Sequence, residues 1–246
     1  MKALIPGVLL FSALLQQKPA SDSPPAYSQT YVIFLKGERS GTESVAMRTD
    51  RNGDIISASE HEIFVTDGLE TKRMAFLTES VLAKGNLSPI RYSYKYTSGE
   101  SRDFCEVVVK GGQIHRVLSR GGRTSEASMP LGDGVLLFDF NVYHHYEFLA
   151  RKYDFKKGGR QTFRGYVPVV GGEISLALTR LEDSDLEAGK ESIAIRSFKI
   201  EFVGVSTGTF SIDKAGRLVR VVLRDRDLEV VRKDLIPEPA PPPPGQ

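Results

Sequence analysis

Leu136-Leu-Phe-Asp-Phe-Asn-Val-Tyr-His-His-Tyr-Glu-Phe-Leu-Ala-Arg-Lys-Tyr153 decides the fold, because it is the one stretch of this 246-residue chain with sustained helical periodicity. Phe138, Val142, Tyr146, Leu149 and Tyr153 recur at intervals of three and four, which puts them on one face of a helix. Asp139 or Asn141 can cap its start, and Arg151 and Lys152 in its last turn complement the helix dipole. The spacing predicts a helix over 136–153 whose apolar face must be buried. Everything on either side reads as strands and turns, so this helix separates two β-rich halves.

Upstream, Thr30-Tyr-Val-Ile-Phe-Leu35 is β-branched and aromatic, and Thr42 to Arg48 continues the pattern. Asn52-Gly53 supplies the positive φ of a tight hairpin, followed by strands over Ile55 to Val65 and Thr71 to Thr78. In Ile90-Arg-Tyr-Ser-Tyr-Lys-Tyr-Thr97 strict alternation sends Ile90, Tyr92, Tyr94 and Tyr96 to one face, a row that packs across a half-buried sheet. Phe104 to Lys110 and Ile114 to Leu118 meet at Gly111-Gly112. Connections this short require antiparallel pairing, since parallel strands need long crossovers. Ser119 to Gly134, poor in apolar residues, reads as a loop leading into the helix.

Downstream, strands are expected over Gln161 to Val169, Glu173 to Arg180, Glu191 to Phe202, Thr207 to Asp213 and Arg217 to Arg224. Apolar parity changes between Ile195 and Phe198, which a β-bulge would explain. Asp50-Arg-Asn-Gly-Asp-Ile-Ile56 and Asp213-Lys-Ala-Gly-Arg-Leu-Val219 share a D-x-x-G pattern that turn chemistry alone can produce. A duplicated half-sheet is the sharper reading, and the remaining residues do not align to support it. The fold class is mainly β, with about a dozen strands and one central helix.

The first fifteen residues, Met1-Lys-Ala-Leu-Ile-Pro-Gly-Val-Leu-Leu-Phe-Ser-Ala-Leu-Leu15, join a short basic start to an apolar run, the order of a secretory signal. No clean small-x-small cleavage triplet follows, so an uncleaved anchor stays open. The expected division is a signal peptide at 1–18, a linker at 19–28, one β-rich domain at 29–234 and a Pro-rich tail at 235–246. Cys105 is the only cysteine, so no intramolecular disulfide exists and the sheet and its core must supply the stability. An exported bacterial protein, periplasmic or secreted, fits this usage. Hydrophobic content of 40% and charged content of 26% are ordinary for a globular protein. With a net charge of +2 and interleaved signs, there is no electrostatic footprint for nucleic acid.

Chemistry is thinly represented. Gly204-Val-Ser-Thr-Gly208 matches a nucleophile elbow, yet the residues after Ser206 read as strand and hairpin where an elbow needs a helix. His144 and His145 diverge by about 100° on a helix and cannot easily share a metal. His144 could share one with Glu147, given a third ligand such as His115 or His61. The favoured expectation places one histidine in solvent and the other at the edge of the buried face. Cys105 reads as a small buried hydrophobe, and the Glu60 and Glu62 pair as a solvated strand face. No H-E-x-x-H, C-x-x-C or phosphate loop occurs, so no metal and no cofactor is expected.

Tyr31-Val-Ile-Phe-Leu-Lys-Gly37 with Gly41, the central Phe138 to Leu149 segment and the closing Phe210-Ser-Ile-Asp-Lys-Ala-Gly-Arg-Leu-Val219 together resemble an exported bacterial family of unknown function related to the lipoprotein-carrier (LolA/LolB-like) superfamily. The resemblance implies a strongly curved antiparallel sheet, a half-barrel, with the helix on its concave face and room for an acyl chain. It carries over no catalytic residue. The chain lacks the lipobox cysteine that some relatives use for anchoring. The resulting expectation is a non-catalytic envelope or secreted protein that binds a lipid or other hydrophobic ligand in an apolar groove, with Phe138, Tyr146, Leu149 and Tyr153 as ligand-contacting positions. The alternatives are a structural or adaptor protein with a filled sheet that serves an envelope partner and, third, a hydrolase using Ser206 or a metal at His144.

Overall fold

The computed structural model describes residues 27–67, 70–188 and 191–237. The expected signal peptide, most of the linker and all but the start of the Pro-rich tail lie outside these residues. The first half comprises β1 (Tyr27–Leu35), β2 (Glu38–Thr49), β3 (Ile55–Asp67), β4 (Glu70–Leu82), β5 (Pro89–Ser98), β6 (Ser101–Lys110), β7 (Gln113–Arg120) and β8 (Arg123–Pro130). Then come β9 (Leu136–Leu137), α1 (His145–Lys152), β10 (Arg160–Val167), β11 (Gly172–Arg180), β12 (Ser184–Ala188), β13 (Glu191–Phe202), β14 (Ser206–Asp213), β15 (Leu218–Leu223) and β16 (Leu228–Arg232).

All sixteen strands belong to one sheet that does not close on itself. Its path runs from β8 back to β1, crosses to β16, and continues through β15, β14, β13, β11 and β10 to β9, with β12 beside β13. The first and last strands are therefore neighbours at the middle, and the two sequence halves become two wings. Pairing is antiparallel except for β9, which runs parallel beside β10. Where the wings curl toward each other, side chains and not ladder bonds hold the seam: the Arg116 guanidinium and the Cys105 thiol both donate to the Pro168 carbonyl, at 3.2 and 3.5 Å.

Three sequence expectations are corrected. The helix is His145–Lys152 and not 136–153. Leu136 and Leu137 pair with Gly165 and Tyr166, and the Phe138 amide donates to the Tyr166 carbonyl. Asp139 then accepts the Asn141 amide on its own side chain, a local turn that competes with helix and delays its start. Secondly, the expected loop at 119–134 contains β8, which pairs with β7 from Gln113↔Pro130 to Arg120↔Arg123; its polar composition reflects an edge strand exposed on both faces. Thirdly, β13 pairs with β14 without a register shift from Ile195↔Asp213 to Phe202↔Ser206. The parity change arises because Ile195 is buried on the convex side, beside Leu181 and Leu186, whereas Phe198 and Ile200 face the interior.

The core lies on the concave face around α1. Tyr146 packs edge-on against Phe138 and Phe210, and Phe198 stacks on Phe210 at 5.0 Å between centroids. The D-x-x-G echo has one physical origin. Asp50 Oδ1 accepts the amides of Asn52 and Asp54, and Asp213 Oδ1 accepts those of Ala215 and Arg217, so both hairpins are built by an aspartate that gathers amides two and four residues on. Asp213 also accepts from the buried Arg232 guanidinium at 2.7 Å. Asp50→Ala is expected to cost about 1–2 kcal/mol in urea unfolding, and Asp213→Ala more, because it also removes one of the two carboxylates that hold the buried Arg232 guanidinium.

Candidate functional site

The strands β3 and β4 place four hydroxyls on the concave face where an ordinary half-buried sheet would place aliphatics. Ser57 is opposite Ser80 and Ser59 is opposite Thr78. All four are buried. Their small size makes room for the start of α1, and their oxygens meet its imidazoles. Ser59 bonds Thr78 at 2.6 Å and the His61 Nε2 at 2.8 Å.

Glu43 of β2 is the hub. It is fully buried, and its Oε1 accepts from His144 Nδ1 at 2.7 Å while His61 Nε2 lies 3.4 Å away. Its Oε2 accepts the Tyr143 amide at 3.1 Å. No side chain of the helix's own N-terminus caps it, so this carboxylate from across the interior takes that place. Burial opposes ionisation of Glu43, yet His61 and His144 more than offset it and hold the carboxyl below its ordinary range. With its Nδ1 proton on Glu43, the His144 Nε2 accepts from the Ser57 hydroxyl at 3.1 Å.

His145 has a forced tautomer. Its Nδ1 accepts the Asp139 amide at 3.1 Å, so its proton sits on Nε2 and is donated to Ser80 at 3.1 Å. Burial, reinforced by the neighbouring His144 and His61 imidazoles, pushes His145 well below the usual histidine range. Burial likewise lowers His61. Asp139 accepts the Tyr92 hydroxyl at 2.8 Å, and burial raises its carboxyl despite that bond and the Asn141 amide. Further along α1, Glu147 Oε1 accepts from the Tyr27 and Tyr31 hydroxyls and from the Leu218 amide. A helix of eight residues is thereby pinned to β1, β2, β3, β4 and the start of β15.

Both histidines of the pair are buried, which replaces the expectation that one meets solvent. His144 and Glu147 turn to different partners and do not converge on a shared point. His115 is on the outer face and bonds Ser128. Ser206 opens β14 with no helix after it, so the elbow geometry is missing. Cys105 is buried, and burial raises its thiol to about 12, which makes it a poor nucleophile. Ser57, His144 and Glu43 do form a hydroxyl, imidazole and carboxylate relay of the kind found in hydrolases. It is sealed: Ser57 is 1% exposed and none of the three borders a cleft described below. In this conformation the relay can pin the helix but cannot meet a substrate.

Phe138, Tyr146, Leu149 and Tyr153 are all buried in the core and touch protein, Tyr153 also donating to the Gly159 carbonyl. Open concavities lie on the other side of the sheet. The larger, about 610 Å³, is between β1 and the segment after β16, over Val32, Phe34, Ile236 and Pro237, with Ser28, Gln29, Thr30, Arg39, Lys233 and Asp234 around them. A smaller one, about 300 Å³, includes Leu181, Leu186, Ile195, Val222 and Arg220. The larger cleft was not legible in the sequence, since the residues that form it come from opposite ends of the domain.

An unclosed antiparallel sheet wrapped on one pinned helix defines a β-barrel-like protein. No family model and no curated protein matches the chain. Among solved structures, it is similar to the beta-barrel-like protein of domain of unknown function DUF1849 from Brucella abortus, with a TM-score of 0.57 and 9% identity over 84% of this chain and 94% of that one. It is also similar to a DUF1089 family protein from Pseudomonas aeruginosa, with a TM-score of 0.46 and 15% identity over 72% of this chain and 87% of that one. The first likeness shows a shared fold.

Proposed function

We propose that this is a non-catalytic binding protein of the bacterial envelope or extracellular space that holds a lipid or similar amphipathic molecule in the cleft beside β1. The observation that carries this reading is the cleft itself: its volume of about 610 Å³ and its apolar floor of Val32, Phe34, Ile236 and Pro237 suit a small-molecule site. The signal-like first fifteen residues and the lipoprotein-carrier resemblance support the compartment and the ligand class. The sealing of the one relay supports a binding role over a catalytic one.

Native mass spectrometry of the full chain, purified without detergent and incubated with oleate, tests it. The expected result is a bound mass that Phe34→Asp reduces at least about tenfold, since a charge then replaces an aromatic contact. A chain that takes up no oleate overturns the proposal. The filled interior around α1 favours a second reading, a structural or adaptor protein with an envelope partner and no ligand; that result would support it.

A further inference from the structure

We infer that the ligand of the β1 cleft carries an anionic head group; this rests on the binding reading above. Arg39 and Lys233 stand on opposite sides of the cleft, one from the start of β2 and the other from the turn after β16. Neither has an acidic partner among the described residues. Among the described lining residues the one carboxylate is Asp234, which accepts from Arg232 Nε at 2.9 Å. The lining thus sets two cations against one carboxylate, and that carboxylate is already engaged. Two cations left without partners at the border of an apolar floor fit a molecule with one charged end.

The donors also fit the shape of such a head. A guanidinium presents a planar fork to a carboxylate or phosphate, and an ammonium adds a point charge. Ser28, Gln29 and Thr30 add neutral hydrogen-bonding groups to the lining. The apolar floor takes the hydrocarbon. A single-chain carboxylate or phosphate amphiphile satisfies both halves; a free inorganic anion uses only one.

The test compares oleate, oleyl alcohol and inorganic phosphate on the full-length protein by titration calorimetry, with Arg39→Gln/Lys233→Gln and Phe34→Asp as variants. Oleate is expected to bind about tenfold more tightly than oleyl alcohol, with the preference erased in the double variant and weakened by raising salt. Phe34→Asp should weaken both oleyl compounds. Equal affinity for oleate and oleyl alcohol in the parent protein overturns the head-group inference and leaves the binding reading standing. Phosphate binding without oleate binding points to a free anion and overturns it as well. Failure of both oleyl compounds removes the binding reading itself. Both cations are exposed, so their loss leaves the fold intact, checked by an unchanged thermal transition.

Discussion

Glu43→Ala lowers the unfolding free energy by about 3–5 kcal/mol, the cost of removing one partner from a buried charge network. The carboxylate accepts at once from the His144 ring and the Tyr143 amide, and it faces His61. Alanine leaves the His144 ring and the Tyr143 amide at the helix start without an acceptor, in an interior that water does not reach. No neighbouring group can replace it: Asp139 is held by Tyr92 and Asn141, and Glu147 by Tyr27 and Tyr31. Glu43→Gln keeps the volume and one carbonyl acceptor but gives up the charge, so it is expected to lose roughly half as much. Urea unfolding followed by near-ultraviolet circular dichroism reads the effect, because the aromatic residues around α1 dominate that signal. A Glu43→Ala midpoint within about 1 kcal/mol of the parent would mean that the network is ornamental to stability.

The same residue shows why the site was hidden in the sequence. Glu43 and His144 are 101 positions apart, and no local spacing joins them. Ser57, Ser59 and His61 are polar at every second position, which is the pattern of a solvent face; here the polar parity points inward because the helix brings polar groups to meet it. The reading of Glu60 and Glu62 as a solvated face was legible for the complementary reason. Turn chemistry was the most readable level: Asn52-Gly53 and the two D-x-x-G hairpins are determined within a few residues, and they form as their composition dictates. The tyrosine row of β5 was also legible, because alternation is local. The helix boundary was not. Phe138 and Val142 sit at helical spacing, yet backbone pairing of residues 136–138 with the neighbourhood of Tyr166 outweighs that spacing.

Acid is expected to release the helix before it affects the rest of the sheet. His61 and His145 are kept neutral by burial, so their folded values lie below the ordinary 6.5, whereas the unfolded chain titrates near that value. The stability they support is complete above 6.5 and falls as the pH drops through 6.5 toward the folded values. For His145 the cost is also geometric: a second proton on Nδ1 would face the Asp139 amide proton that this nitrogen now accepts. Glu43, held below its ordinary 4.5, adds a further loss under that pH. Asp139, raised by burial from 3.8, has the opposite sign and returns a part as it takes up its proton. Between pH 6.5 and the folded values, each histidine contributes about 1.4 kcal/mol per pH unit, so the pair gives a slope near twice that. Urea midpoints should be level from pH 8 to 7 and decline below 6.5, with the decline reduced in His61→Gln and reduced further in His145→Gln, whose imidazole is pushed down more. A midpoint that stays level down to pH 5 would show that the imidazoles are protonated equally in both states, and the buried network would then have to open to water without unfolding.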